Sequence, residues 1–215
     1  MENIKGYVSL ENVIGGSIVL ALMVSLFSVT GIGVQSTIAA TTSTSQTINL
    51  TVNQTITLSL STSTLSLGSL TPGVAVVATS SATVVTNSAS GWQLQVNRDS
   101  ATSTLASSTI TFPDYSSWNS GSSNATTTPG ATLSFKVANT GTDAGLYSSS
   151  FWGASDVDGT AKYAGFPTST QQVANIATYS SANQVVVLRV RADSPASQQS
   201  TNYTGTITVT ALTNP

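Results

Sequence analysis

Two patterns of apolar and polar residues divide the chain. From Val13 to Val34 the sequence is apolar, broken only by Gly, Ser and Thr. A helix of about 22 residues rises about 33 Å, enough to cross a hydrocarbon core of about 30 Å. The run predicts a hydrophobic α-helix within residues 7–40, destined for a membrane or an equally dry environment. Residues 41–47, Thr-Thr-Ser-Thr-Ser-Gln-Thr, carry no helical period and read as a polar linker.

Beyond the linker the period changes to two. Ile48, Leu50 and Val52, then Ile56, Leu58 and Leu60, alternate with polar residues, and the pattern recurs at Val74-Val76, Trp92-Leu94-Val96, Leu133-Phe135-Val137 and Ile207-Val209-Ala211. Such alternation predicts strands with one covered face. Val185-Val-Val-Leu188 is apolar throughout and predicts a central strand covered on both faces. Thr71-Pro-Gly73, Ser90-Gly91, Pro129-Gly130, Thr140-Gly141 and Ser194-Pro195 are turn signals between these runs. Short strands with no helical segments between them predict a mainly β protein: an N-terminal hydrophobic α-helix followed by an antiparallel β-sandwich over residues 48–215. Residues 98–183 are less regular.

Composition sharpens this picture. The 215 residues include 6 Lys+Arg, 8 Asp+Glu, no His and no Cys, and about a third are Ser or Thr. Charged residues make up 7%, against about 25% in soluble domains. With 40% hydrophobic residues the chain can bury a core, which argues against general disorder. Without a basic patch, nucleic-acid binding through phosphates is not expected. Lacking Cys, the chain cannot form a disulfide; lacking His, it has neither the commonest general base nor the commonest metal ligand. A nucleophile–base–orienter set cannot be assembled on the usual residues, so no enzyme activity and no cofactor are expected. Asp156-Val-Asp158-Gly159 has part of the spacing of a calcium loop, but the other ligands are missing and it reads as a turn.

The approach to the apolar run holds the most informative residues. Glu11 stands beside it, where an ionisable group is costly and usually has a task. A cleaved secretory signal would have a shorter apolar region behind a positive start, although Ala39 and Ala40 would offer a cleavage point. A plain membrane anchor explains the length but not Glu11, unless that side chain snorkels to the lipid interface. Lys5-Gly6, aromatic Tyr7 and Glu11 as the fifth residue after Gly6, followed by the apolar helix, together resemble the processing site of type IV pilins. The resemblance covers residues 1 to about 40. It implies that a prepilin peptidase cuts after Gly6, removing a leader of residues 1–6, and that Tyr7 becomes a methylated N-terminus. Glu11 would then pair with the free amine of Tyr7 on a neighbouring copy and set the subunit register. Tyr7 stands where Phe is usual. Many bacterial pilins carry a proline in this helix, and this chain has none before Pro72; a helix ending near Ala40 is short for bacterial pilins and closer to archaeal ones, whose sites usually lack the glutamate.

A second resemblance lies in the β region. Gly91-Trp-Gln-Leu-Gln-Val96 holds the Trp-x-Leu triplet of WxL cell-wall-binding domains, and Tyr203 to Pro215 is similar to their closing strand, with Val209 where a second Trp is usual. It implies that Trp92 and Leu94 touch a wall polymer; the residues alone read as the core side of one strand. Aromatics including Trp118 and Trp152 cluster in loop-like sequence. They would either pin loops onto the sheets or stack on a surface glycan or a neighbouring subunit. Asn49, Asn53, Asn124 and Asn202 each head an Asn-x-Ser/Thr triplet open to N-glycosylation.

These readings lead to one expectation: a membrane-inserted precursor that becomes part of an extracellular filament of identical subunits. Its partners would be other copies of itself, the peptidase and the pilus assembly machinery. The other reading is an anchored or secreted wall- or carbohydrate-binding surface protein.

Overall fold

The computed structural model describes residues 42–119, 129–139 and 148–215. The predicted helix, the Gly6–Tyr7–Glu11 site, the turn at Thr140-Gly141 and Asn124 lie outside these residues. Among the described residues no helix is long and apolar enough to cross a membrane.

Thr51–Pro215 forms a compact unit of antiparallel strands. In chain order these are β1 (Ile56–Leu60), β2 (Val76–Thr86), β3 (Trp92–Arg98), β4 (Ala106–Ser107), β5 (Ile110–Thr111), β6 (Leu133–Val137), β7 (Gln171–Ile176), β8 (Gln184–Ala192) and β9 (Ile207–Thr213), with one helical turn, α1 (Ser149–Trp152), between β6 and β7. One sheet has the order β1-β2-β8-β6, a second the order β7-β3-β9, and β4 and β5 form a small ribbon.

The alternation seen in the sequence decides which side chains go inside. On β2, Ala82 and Val84 are buried while Val77 and Val85 are exposed. On β3, Trp92, Leu94 and Val96 are fully buried, whereas Gln93 and Gln95 between them are not. These residues join Leu133, Phe135 and Val137 of β6 and Val186, Leu188 and Val190 of β8 in one apolar core that draws on both sheets. Gly91 makes the entry to β3 feasible: its φ is +78°, and a Cβ there would lie 2.0 Å from the Ile176 carbonyl oxygen.

Several expectations change. Ile48, Leu50 and Val52 belong to no strand and are 86%, 87% and 72% exposed. Alternation makes a strand only where a neighbouring edge supplies hydrogen bonds. β8 is central, as expected, but only Val186 and Leu188 of its apolar run are buried; Val185 and Val187 are partly exposed on the outer face. β7 was not anticipated. Its sequence Gln-Gln-Val-Ala-Asn-Ile has no clean period, and a register shift opposite Leu94/Gln95 puts adjacent Val173 and Ala174 both in the interior.

Candidate functional site

β6 differs from the other strands because all five of its residues are buried. Its inner side chains face the shared core. Its outer ones, Ser134 and Lys136, are each 0% exposed because the segment from α1 to Phe166 folds over that side and bonds to the free edge of β6. Phe135 N–H donates to the Ala164 carbonyl at 2.7 Å, and Ala164 N–H donates back at 2.9 Å. The covering loop is tightly closed. Gly153 and Ala161 face each other as an antiparallel bridge, and Gly159 takes a φ of +95°.

Under this loop lies a polar cluster that gathers three of the chain's six Lys and Arg residues. Lys136 Nζ donates to Asp156 Oδ1 and to the Ser155 carbonyl, both at 2.7 Å. Asn139 N–H donates to the same Oδ1 at 3.0 Å. Across the sheet, Arg191 Nε donates to Asp158 Oδ2 at 3.1 Å, the Tyr163 hydroxyl donates to Asp158 Oδ1 at 2.9 Å, and Arg189 Nε donates to the Tyr163 oxygen at 3.2 Å. The Arg191 guanidinium also lies 6.0 Å from the centre of the Tyr163 ring.

Burial sets the electrostatics. It pushes the Lys136 ammonium below its ordinary value; Asp156 opposes this and the charge of Arg189 adds to it. It also pushes the Tyr163 phenol up, against the hydrogen bond from Arg189. For Asp158 burial alone would raise the carboxyl, but the bonds from Arg191 and Tyr163 and the two arginine charges together hold it below the usual carboxylate range. Beside the start of β6, Asp114 accepts from Arg98 and from Thr104 N–H, yet burial outweighs these bonds and raises it.

The sequence-predicted residues fall into distinct places. Trp92 and Leu94 are 0% exposed, Trp118 4% and Trp152 2%. All four belong to the core, one of the two readings the sequence left open for them. Trp152 packs between Trp118, with ring centres 4.5 Å apart, and Phe135 at 5.5 Å, and Phe135 stacks on Phe166 at 4.4 Å. The aromatics pin the loops of residues 112–118 and 148–166 onto the sheets. Asp156 and Asp158 each bond to a protein cation, so this segment is a salt-bridged turn; among the described residues no group of acidic side chains has a metal-holding arrangement. Asn49, Asn53 and Asn202 are exposed.

Two features were missed. Lys136, Arg189 and Arg191 drew no notice, although Leu188-Arg-Val-Arg191 alternates so that both arginines share one strand face. Asn214 was also overlooked. Its Nδ2 lies within hydrogen-bonding distance of the carbonyls of Ser90 and Ile176 and of Asn175 Oδ1, tying the chain after β9 to the approach to β3 and to the end of β7. Comparison of the chain with protein families, curated proteins and solved structures gives no match.

Proposed function

We propose that this chain is a pilin-like structural subunit of an extracellular filament, with a β-sandwich domain displayed outside and an N-terminal helix packed in the filament core. The observation that carries the reading is the spacing of Gly6, Tyr7 and Glu11 ahead of the apolar run. Cleavage after Gly6 frees the amine of Tyr7. In lipid the apolar helix is already in a dry environment, so moving it into a helix bundle exposes no new apolar surface to water. A carboxylate in that bundle costs several kcal/mol unless it is paired. The Tyr7 amine of a neighbouring copy is the partner that the spacing supplies, and the pair would fix the axial register.

The rest of the chain is consistent with this role. The antiparallel unit has a low charge content and exposed Asn-x-Ser/Thr sites, as suits a surface that faces the medium and carries glycans. N-terminal mass spectrometry of the native protein tests the reading. A methylated Tyr7 at the N-terminus is expected, whereas a chain beginning near Thr41 would sink it. Replacing Glu11 with Leu should abolish or slow assembly while leaving cleavage intact; normal filaments from that variant would remove the register argument.

A further inference from the structure

The pairing of Lys136 with Asp156 is unusual for a chain so poor in charge. The lysine is wholly buried in the outer face of a strand closed on both edges, and its partner's side chain is 14% exposed. From this juxtaposition we infer that Lys136 and Asp156 form an intramolecular amide bond, a covalent staple between β6 and the loop that covers it. It would serve a chain that has no cysteine and therefore no disulfide.

The reaction balances within the pair. The ammonium first gives a proton to the carboxylate, leaving a neutral amine and a neutral acid; burial favours this because water solvates neither charge well. The amine lone pair attacks the carboxyl carbon, and a C–N bond forms. A second nitrogen proton moves to the departing hydroxyl, the C–O bond breaks, and one water leaves. The amide nitrogen keeps one hydrogen, and no oxidant or further reactant is consumed.

The geometry supports the attack. Nζ lies 2.7 Å from Oδ1, which puts the carboxyl carbon within about 4 Å, close to the range of about 3–3.5 Å for reacting atoms. The Ser155 carbonyl, 2.7 Å from Nζ, holds the nitrogen in place. Asn139 N–H, 3.0 Å from the same Oδ1, fixes the orientation of the carboxyl group for that attack. Burial depresses the basicity of Lys136, which raises the fraction present as the nucleophilic amine. The partial exposure of Asp156 gives the released water a way out.

Tryptic peptide mass spectrometry of the full-length denatured protein tests this directly. An amide at Lys136 blocks cleavage there, so the expected product is a peptide of residues 99–162 lighter than its sequence mass by one water. Separate peptides 99–136 and 137–162 at their sequence masses would overturn the proposal, as would an uncleaved 99–162 at full mass. Peptide 137–162 alone lacking one water would also overturn it, because that is dehydration of Asp156 without a cross-link. In Lys136→Arg the water loss should vanish; its persistence would refute the assignment of the nitrogen.

Discussion

Replacing Trp152 with Ala separates a core role from a surface role, because the two predict different stabilities. The indole is 2% exposed and lies between Trp118 and Phe135, with ring centres at 4.5 and 5.5 Å. Its main chain is equally engaged: Trp152 N–H donates to the Ser148 carbonyl at 2.9 Å, and its own carbonyl accepts from Lys162 N–H at 2.9 Å. These backbone bonds hold the position in place, so the site cannot easily collapse around the missing ring. Removing a buried Trp typically costs about 3–5 kcal/mol, and the upper half of that range is expected here. With a urea dependence of about 2 kcal/mol per molar, the midpoint should fall by about 2 M. A fragment of residues 51–215 contains the whole described core and suits equilibrium urea unfolding followed by the emission of Trp92 and Trp118. Trp152→Phe keeps a ring against Trp118 and should recover more than half of the loss. A surface aromatic would cost no more than about 0.5 kcal/mol on truncation. A midpoint within about 0.3 M of the parent would therefore refute the core reading.

Other perturbations probe the remaining joints by the same unfolding assay. Gly91→Ala forces a Cβ to 2.0 Å from the Ile176 carbonyl at a φ of +78°, whereas at Gly73, with a φ of +81°, a Cβ meets nothing within 4 Å; the first should cost at least about 2 kcal/mol more than the second. Asn214→Ala removes the amide that bridges the Ser90 and Ile176 carbonyls and should cost about 1–2 kcal/mol. The folded-state pKa of Asp158 is depressed, so the stability it contributes is fully present above the unfolded carboxylate value of about 3.9 and is lost as pH falls through the lower folded value. Asp158→Asn should accordingly be less stable than the parent at pH 6, with the gap closing as pH falls below the unfolded carboxylate value of about 3.9. Because the Asp158 side chain is 49% exposed, that gap should stay below about 1 kcal/mol.

The residues that were legible in the sequence and those that were not differ by a physical criterion. β3, β6 and β9 could be read because the side chains each turns toward the core are apolar and those between them are polar, so hydrophobicity recurs at period two. β7 could not be read because its register shift interrupts that period. The segment at Ile48 shows the converse: it has the period but belongs to no strand, so an identical pattern leaves three apolar side chains in solvent. Trp118 and Trp152 were ambiguous for a related reason, since an aromatic in a loop looks the same whether the loop folds back or stands out. The polar cluster was least legible. Lys136, Asp156, Asp158, Arg189 and Arg191 are brought together by the β6–β8 pairing and by a loop whose path no local signal announces. Scarcity of charge was nonetheless a usable clue. In a chain with only 7% charged residues, an outward-facing pair such as Arg189 and Arg191 on a central strand implies carboxylates folded over it, and Asp156 and Asp158 are among the few carboxylates the chain has. The same scarcity makes the cluster a determinant of specificity: a loop laid over β6 in any other register would leave buried Lys136 without its carboxylate, at a cost of about 3–5 kcal/mol.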